Sequence, residues 1–330
     1  MLLKEIIYQK LFHGFSKLLS QFDYKRLITS HLIKTFLLLV CLNIFSVMSA
    51  QDNTSVQKLK NEISLKFKEI KGTFAIGFFD LNTGNNFNIN GDSIFHAAST
   101  MKTPVMIEVF RQAHDGIIKL NDSILVKNQF KSIVDGSQFT LNPGDDSDSG
   151  LYQLIGQKET IYDLVYRMII YSSNLATNLI VELVGPGNVM KTIRKAGTTK
   201  MMVLRGVEDQ KAYDKGLNNV TTVNDLMILF KKIATGKLIS TAACRSMIKI
   251  LEDQKHNNII PALLPDNVRI AHKTGNINGV EHDGGIIYLP DGRKYVLVML
   301  SKNIEERDKA IQMMAEVSRM VYDFVTGQRK

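Results

Sequence analysis

The chain has 330 residues, of which 45% are hydrophobic, and it carries 41 Lys and Arg against 32 Asp and Glu. This size and composition suit a globular protein with one large core or two lobes, and they exclude a fibrous or disordered chain. Six of the basic and two of the acidic residues lie in the first 50, which leaves a net charge of +5 on the remainder. Because this excess of basic over acidic residues is small, we predict no nucleic-acid partner.

The first 50 residues have the pattern of an export signal. Lys34 precedes the apolar run FLLLVCLNIFSVMSA, which is short for a membrane span, contains Asn43 and ends in small residues at Ala50. We predict a signal peptide over residues 1–50, cleaved near Ala50, and therefore a secreted or periplasmic protein without a stable membrane anchor. A retained anchor is the alternative interpretation.

Cleavage there leaves Cys244 as the single cysteine of the mature chain, so an internal disulfide is excluded. Five histidines remain, none in a metal-ligand spacing such as HExxH. We expect no metal and no cofactor, and a monomer.

The mature chain begins with an amphipathic helix and a hairpin. Apolar residues recur at helical spacing over 55–71. The segments 73–79 and 86–90 alternate as strands around a turn through Asp80, Asn82 and Gly84. These elements predict a helix packed on the start of a sheet.

The middle of the chain is predicted to be helical. A helix begins near Ser99, an exposed loop is predicted at 142–150, and helical patterns fill 160–196 with a break at Gly185 to Gly187. Residues 198–219 lose the hydrophobic rhythm, and a loop of that length inside a domain is uncommon unless it is functional. Helices resume at 222–235 and 240–252.

The last third returns to strands, at 268–275, 284–289 and 294–301, and ends in a helix over 304–325 with Asn303 as its N-cap. We predict an α/β fold of the α+β kind with a discontinuous sheet domain at 51–97 and 253–330. Terminal helices cover one face of its antiparallel sheet of five strands. An inserted helical domain, residues 98–252, covers the other and carries the active-site loop 198–219.

Three short motifs carry chemistry. Ser99 and Lys102 are three apart at a predicted helix start, so a hydroxyl and an amine share one helix face. The same spacing occurs twice more, among ordinary helix-surface residues, at Ser55 to Lys58 and at Ser246 to Lys249. Ser99 differs because Ala97 and Ala98 precede it and a buried apolar helix follows.

The second motif is Ser172, Ser173 and Asn174, at a junction between two helical patterns, and the third is Lys273, Thr274 and Gly275 on a strand. In this order, SxxK, SxN and KTG resemble the motifs of penicillin-binding proteins and class A β-lactamases. The resemblance covers roughly residues 55–325. It implies a β-lactamase/transpeptidase-like fold and a serine acyl-enzyme.

The resemblance also implies a role for each site residue. Ser99 would be the nucleophile, Lys102 its base and Ser172 a proton carrier. Asn174 would orient the substrate amide, and Lys273 and Thr274 would bind the substrate carboxylate. Gly275 completes the third motif. The N–H groups of Ser99 and Asn276 would form an oxyanion hole, worth about 3 kcal/mol per donor.

Each motif has a structural alternative. Ser172 and Asn174 can simply cap a helix. Lys273 can be a charge on an edge strand that prevents aggregation. Gly275 can serve only to let two strands approach closely.

Deacylation requires a second base, which class A enzymes place two residues after an arginine in the loop that follows the helices. Here Glu208 lies three residues after Arg205, so the spacing departs from that pattern. Glu208 is the candidate base and Asp209 the fallback. An ion pair between Glu208 and Arg205 that pins the loop is the alternative. The middle residue of SxN, Ser173, also departs from the usual aspartate.

Three functions follow. The first is a class A β-lactamase-like serine hydrolase that opens a β-lactam through an acyl-enzyme at Ser99. The second is a D,D-peptidase or related serine hydrolase acting on a cell-wall peptide-like substrate, with weak or no β-lactam turnover. The third is a binding or sensor protein that does not turn its ligand over.

Overall fold

A computed structural model describes residues 54–328, and the signal peptide predicted for residues 1–50 lies outside them. The described chain opens with helix α1 over 54–66, which buries Val56, Leu59 and Ile63. This helix ends before the predicted residue 71. After its end the hydrogen bonds span three residues instead of four, as in the bond from the Lys68 N–H to the Leu65 carbonyl at 3.0 Å, and the chain then turns toward the sheet.

The central sheet has five strands, namely β1 (Thr73–Asp80), β2 (Asn86–Ile89), β9 (Arg269–Ile277), β10 (Val280–Tyr288) and β11 (Lys294–Lys302). They pair antiparallel in the order β2-β1-β11-β10-β9. The first and last strands along the chain are neighbours, with Gly77 opposite Val298. The predicted antiparallel sheet, assembled from both ends of the chain, is confirmed.

Helices fill the chain between the two groups of strands. They are α2 (Lys102–His114), which continues a 3₁₀ turn over Ala98–Met101, α3 (Ile161–Ile170), α4 (Asn174–Val184), α5 (Pro186–Lys195), α6 (Gln210–Asp214), α7 (Val223–Ala234) and α8 (Thr241–Glu252), with α9 (Arg307–Thr326) after the sheet. Short strands β3 (Phe95–His96), β4 (Ser123–Leu125), β5 (Phe130–Lys131), β6 (Gln138–Phe139), β7 (Lys158–Thr160) and β8 (Val220–Thr221) pair outside the sheet. None of the helices between 54 and 328 combines the length and apolarity needed to cross a membrane.

The sheet separates two hydrophobic cores because successive side chains of a strand point to opposite faces. On β11, Val296, Val298 and Leu300 join the core shared with helices α2 to α5, α7 and α8. Leu297 and Met299, which alternate with them, join the core under α1 and α9. The layered α+β architecture is therefore confirmed, whereas the domain boundaries stay predictions.

Two local predictions were wrong. The last helix begins at Arg307 with Glu306 at its N-cap, because Asn303 adopts φ 58° and turns the chain before the helix instead of capping it. The segment 142–150 is not wholly exposed, because Asp146 and Asp148 are buried within it.

Candidate active site

The turn that carries Ser99 is held in an uncommon backbone conformation. Ala98 has φ 44°, and its N–H donates to Nδ1 of His96 at 3.0 Å. Such left-handed residues persist only where the surroundings enforce them. Strand β9 passes close to this turn: a Cβ added to Gly275 would lie 2.9 Å from the backbone nitrogens of both Ser99 and Thr100. Gly275 thus permits an approach to the Ser99 turn, and not merely an approach between two strands.

Lys102 is fully buried one helical turn beyond Ser99. Its Nζ donates to the carbonyl oxygen of Ser172 at 2.6 Å, to Oγ of Ser172 at 3.1 Å and to Oδ1 of Asn174 at 2.9 Å. Burial lowers the pKa of Lys102 to about 7, although the charges of Asp146 and Glu208 act in the opposite direction. An amine with that pKa is partly neutral at physiological pH and can accept a proton.

The SxN motif forms the tight junction between α3 and α4. Ser172 adopts φ 62° there. The side chain that caps α4 is that of Ser173, which accepts from the Ala176 N–H at 3.3 Å. The capping interpretation therefore applies to Ser173, while Ser172 and Asn174 direct their side chains to Lys102.

Lys273 lies on β9, an edge strand, yet its side chain is fully buried. Its Nζ donates to Oγ of Ser172 at 3.1 Å and to the carbonyl oxygen of Thr274 at 2.9 Å. The edge-charge interpretation is wrong because that role requires a solvated amine. Burial, then the charge of Lys102, holds the pKa of Lys273 well below its usual value, against the effect of Asp283.

A cavity of about 350 Å³ opens beside these groups. Ser99, Asn174, Glu208 and Asn276 are among the residues that line it. Four parts of the chain thus form the wall of the cavity: the 3₁₀ turn before α2, the SxN junction, the loop 198–219 and strand β9. A substrate held there would meet the Ser99 hydroxyl, the side-chain amide of Asn174 and the Glu208 carboxylate, while the amines of Lys102 and Lys273 are fully buried behind the wall.

Glu208 reaches the site from the loop, with φ 61°. Its Oε1 accepts a hydrogen bond from Nδ2 of Asn174 at 2.6 Å. Part of the Glu208 residue is exposed, but protein atoms surround its carboxyl group closely enough that burial raises its pKa. The charges of Asp146 and Asp145 add to that rise, and the Asn174 hydrogen bond and Lys102 oppose it.

The predicted alternatives for this loop do not hold. The guanidinium of Arg205 donates to the carbonyl oxygens of Leu217 and Gly206 and to Oδ1 of Asn218, and within residues 54–328 it forms no ion pair with Glu208. Asp209 is buried, caps α6 through the Ala212 N–H, and accepts from the Ser132 hydroxyl and the Ile133 N–H. Its carboxylate is already occupied, so Glu208 is the acid that meets Asn174.

Two residues that fix the site were missed. Asn178 bonds both backbone polar groups of Val207, accepting from its N–H at 2.6 Å and donating to its carbonyl at 3.1 Å, which holds the loop next to Glu208. The sequence did offer one sign of this role, because Asn178 lies one helical turn beyond Asn174 on α4 and therefore on the same face of the helix. Asp146 holds the SxN junction, and nothing in the acidic run GDDSD distinguished it from a solvated loop. Across 54–328, no three His, Cys, Asp or Glu side chains gather as metal ligands.

The β-lactamase enzyme family model matches residues 56–325, which is most of the chain. The chain belongs to the β-lactamase enzyme family. Among curated relatives, β-lactamase PSE-4 of Pseudomonas aeruginosa is 23% identical over 308 residues, covering 89% of this chain and 99% of the relative.

Solved structures share the β-lactamase fold. A β-lactamase from Sphaerobacter thermophilus superposes with a TM-score of 0.69 and 26% identity, over 82% of this chain and 98% of that one. A variant of PBP-A, solved as an acyl-enzyme complex with penicillin G, gives a TM-score of 0.70 and 26% identity, over 83% of this chain and 97% of that one. The chain is accordingly a serine β-lactamase-like hydrolase, a family whose substrates are small molecules.

Proposed function

We propose that the chain hydrolyses β-lactams through an ester at Ser99, which water releases with the help of Glu208. The observation that carries this proposal is the position of the Ser172 hydroxyl, 3.1 Å from the amines of both Lys102 and Lys273. A hydroxyl between two amines can pass a proton from one to the other, and acylation requires such a transfer between attack and departure.

Acylation would begin with the neutral amine of Lys102 taking the proton of the Ser99 hydroxyl as Oγ bonds to the lactam carbonyl carbon. The carbonyl oxygen gains negative charge, which the N–H groups of Ser99 and Asn276 would stabilise. The carbon–nitrogen bond then breaks, and the ring nitrogen receives a proton through Ser172. The products are an opened ring and an ester at Ser99.

Substrate binding would prepare this step electrostatically. A substrate carboxylate beside Lys273 and Thr274 favours the charged form of Lys273. A charged Lys273 in turn disfavours a second charge on Lys102, since the two buried amines share one hydroxyl. The binding of the acid therefore helps to make Lys102 a base, while Asn174 holds the substrate amide.

Deacylation would use Glu208. Its carboxylate takes a proton from a water molecule while the oxygen of that water adds to the ester carbon. The ester bond to Ser99 then breaks, the proton held by Glu208 returns to Oγ, and the opened ring leaves as a carboxylic acid. Asn174 donates to Oε1 of Glu208 and so fixes the side chain toward the ester.

A D,D-peptidase acting on a cell-wall peptide is the second candidate. Two observations favour it: Glu208 lies one residue later than the β-lactamase pattern requires, and its backbone is in a left-handed conformation. A displaced base would leave acylation intact and slow the release of the ester. Under either function we propose that the protein is a monomer. We also propose that a signal peptide, cleaved near Ala50, directs its export to the periplasm or the medium.

The test is intact-mass spectrometry over time after the purified protein is mixed with benzylpenicillin. We expect a transient mass increase of one penicillin that decays as free drug disappears. In Glu208→Gln the adduct should persist, with deacylation slowed by about 10²- to 10⁴-fold, because an amide cannot accept the proton of water. A persistent adduct in the unmodified protein would contradict β-lactam turnover and favour the peptidase.

The chain offers a matched control for the nucleophile. Ser99→Ala should form no adduct, whereas Ser246→Ala, which removes the serine of a coincidental SxxK motif on α8, should behave as the unmodified protein. Adduct formation by Ser99→Ala would overturn the assignment of the nucleophile.

A further inference from the structure

Asp146 is a buried carboxylate in the loop between β6 and β7, outside the three motifs. Its oxygens accept from the Asn174 N–H at 3.0 and 2.9 Å and from the Leu175 N–H at 2.9 Å. They also accept from the Tyr152 hydroxyl and the Asp148 N–H, both at 3.0 Å. One side chain thus collects four donors, two from its own loop and two from the start of α4.

Two of those donors are the first N–H groups of α4, which have no partner within the helix. A carboxylate at that end also meets the positive end of the helix dipole. Ser173, which stands where the related enzymes usually have an aspartate, satisfies only the later N–H of Ala176. The carboxylate that the SxN motif lacks is therefore supplied from a distant loop.

We propose that Asp146 is a positioning residue for acylation, which clamps the SxN junction so that the Ser172 hydroxyl stays between the two amines. This inference rests on the proposed function and adds a residue to it. Ser172 is held at φ 62°, a conformation that serine does not adopt without support. Asn174, two positions later, is the residue whose N–H donates to both oxygens of Asp146.

The charge of Asp146 has a second effect, on Lys102. The charged or titratable groups that act on Lys102 or respond to it are Asp146, Glu208, Lys273 and His256. Asp146 and Glu208 favour the protonated amine, and burial opposes them. Removal of the Asp146 charge should therefore let Lys102 lose its proton at lower pH.

The test measures the rate constant of acylation by benzylpenicillin in single-turnover experiments from about pH 5 to about pH 10. In Asp146→Asn one carboxylate oxygen becomes an N–H₂ donor that faces the present donors. We expect the rate on the high-pH plateau to fall by about 10²-fold, because small displacements of catalytic groups cost that much. The acid limb, meaning the part of the profile where the rate rises with pH, should move to lower pH by about 1 unit, because a nearby carboxylate charge is lost.

Asp148→Asn is the matched control, since Asp148 is equally buried two residues away but pairs with Arg167 at 3.0 Å. It should lower thermal stability and leave the position of the acid limb unchanged. Tyr152→Phe is a milder probe if Asp146→Asn does not fold. It removes one donor and keeps the charge, so the plateau should fall by about 3-fold without a shift of the limb.

The outcomes separate the two proposals. If the unmodified protein is not acylated at all, the proposed function fails. If it is acylated and a folded Asp146→Asn keeps its plateau and its acid limb, the role of Asp146 is refuted while the proposed function stands. An equal shift of the limb in Asp148→Asn would also refute it, because the effect would then not be specific to the SxN junction.

Discussion

At the residue scale, the contacts of Lys102 change with its protonation state. An ammonium has three N–H bonds, and three acceptors surround the Nζ: the Ser172 carbonyl at 2.6 Å, Asn174 Oδ1 at 2.9 Å and Ser172 Oγ at 3.1 Å. A neutral amine keeps two N–H bonds and gains a lone pair. The longest contact, to the Ser172 hydroxyl, is the one whose donor and acceptor exchange roles most easily, so loss of one proton from Lys102 prepares the proton relay that we propose for acylation.

This residue-scale chemistry predicts a pH profile. In the proposed mechanism Lys102, whose pKa is about 7, must be neutral to accept the Ser99 proton, so acylation should be slow below that pH and rise as the pH increases through it. The rate should rise tenfold per pH unit on the acid side and become constant above about pH 8. The measurement is the single-turnover acylation rate against pH.

Lys102→Arg tests the same point because an arginine keeps the charge and does not deprotonate. It should abolish acylation at every pH, whereas Lys249→Arg, at the coincidental motif on α8, should leave the profile unchanged. A flat profile in the unmodified protein would contradict Lys102 as the base.

The motif residues could be predicted because SxxK, SxN and KTG are local patterns with a fixed order. Asp146 could not, because its contact with Asn174 joins positions 28 apart and it sits in an acidic run typical of solvated loops. The orientation of Glu208 was equally inaccessible. It depends on Asn178, which binds Val207 across 29 positions.

At the scale of elements, the site depends on the contact between strand β9 and the 3₁₀ turn that precedes α2. The gap is too small for a side chain, since a Cβ on Gly275 would lie 2.9 Å from two backbone nitrogens. One of these belongs to Ser99 and would have to face the oxyanion. The distance between strand and turn thus decides whether the proposed oxyanion hole can form.

Gly275→Ala should therefore lower the acylation rate by about 10²-fold, because backbone and not a flexible side chain must move to admit the methyl group. The measurement is the acylation rate with benzylpenicillin, together with the thermal midpoint to establish that the protein folds. Gly187→Ala is the matched control: nothing lies within 4 Å of its added Cβ, and alanine suits a helix better than glycine. Acylation of Gly275→Ala at the normal rate would show that the close approach is not required.

Element types were largely predictable from periodicity, while ends were less so. The helices at 222–235 and 240–252 were predicted within one residue of Val223–Ala234 and Thr241–Glu252. The start of α9 was misplaced because Asn303 can cap a helix or adopt a left-handed turn, and sequence alone does not distinguish these. The loop 198–219 was recognised, but its anchor, the Asp225 carboxylate that accepts from the N–H groups of Thr199 and Lys200, is a tertiary contact.

At the scale of the whole molecule, the two hydrophobic cores pack on opposite faces of one sheet. Leu297 and Leu300 lie on the same strand and are both fully buried, yet Leu297 packs under α1 and α9 while Leu300 packs under the helices that hold the site. If the sheet came apart on one face, the apolar side chains of the core on its other face would be exposed as well. The two layers should consequently unfold together, although their residues come from different parts of the chain.

Leu297→Ala and Leu300→Ala test this coupling with the same change on opposite faces. Each should lower the free energy of unfolding by about 3 kcal/mol through lost burial and an unfilled cavity. Urea unfolding should remain one transition, with far-UV circular dichroism and tyrosine fluorescence giving the same midpoint. Tyrosine is a suitable probe because the chain has ten tyrosines and no tryptophan. Separate midpoints in either variant would show that the two cores unfold independently, and the sheet would then not couple the helical layer that holds the site to the terminal helices.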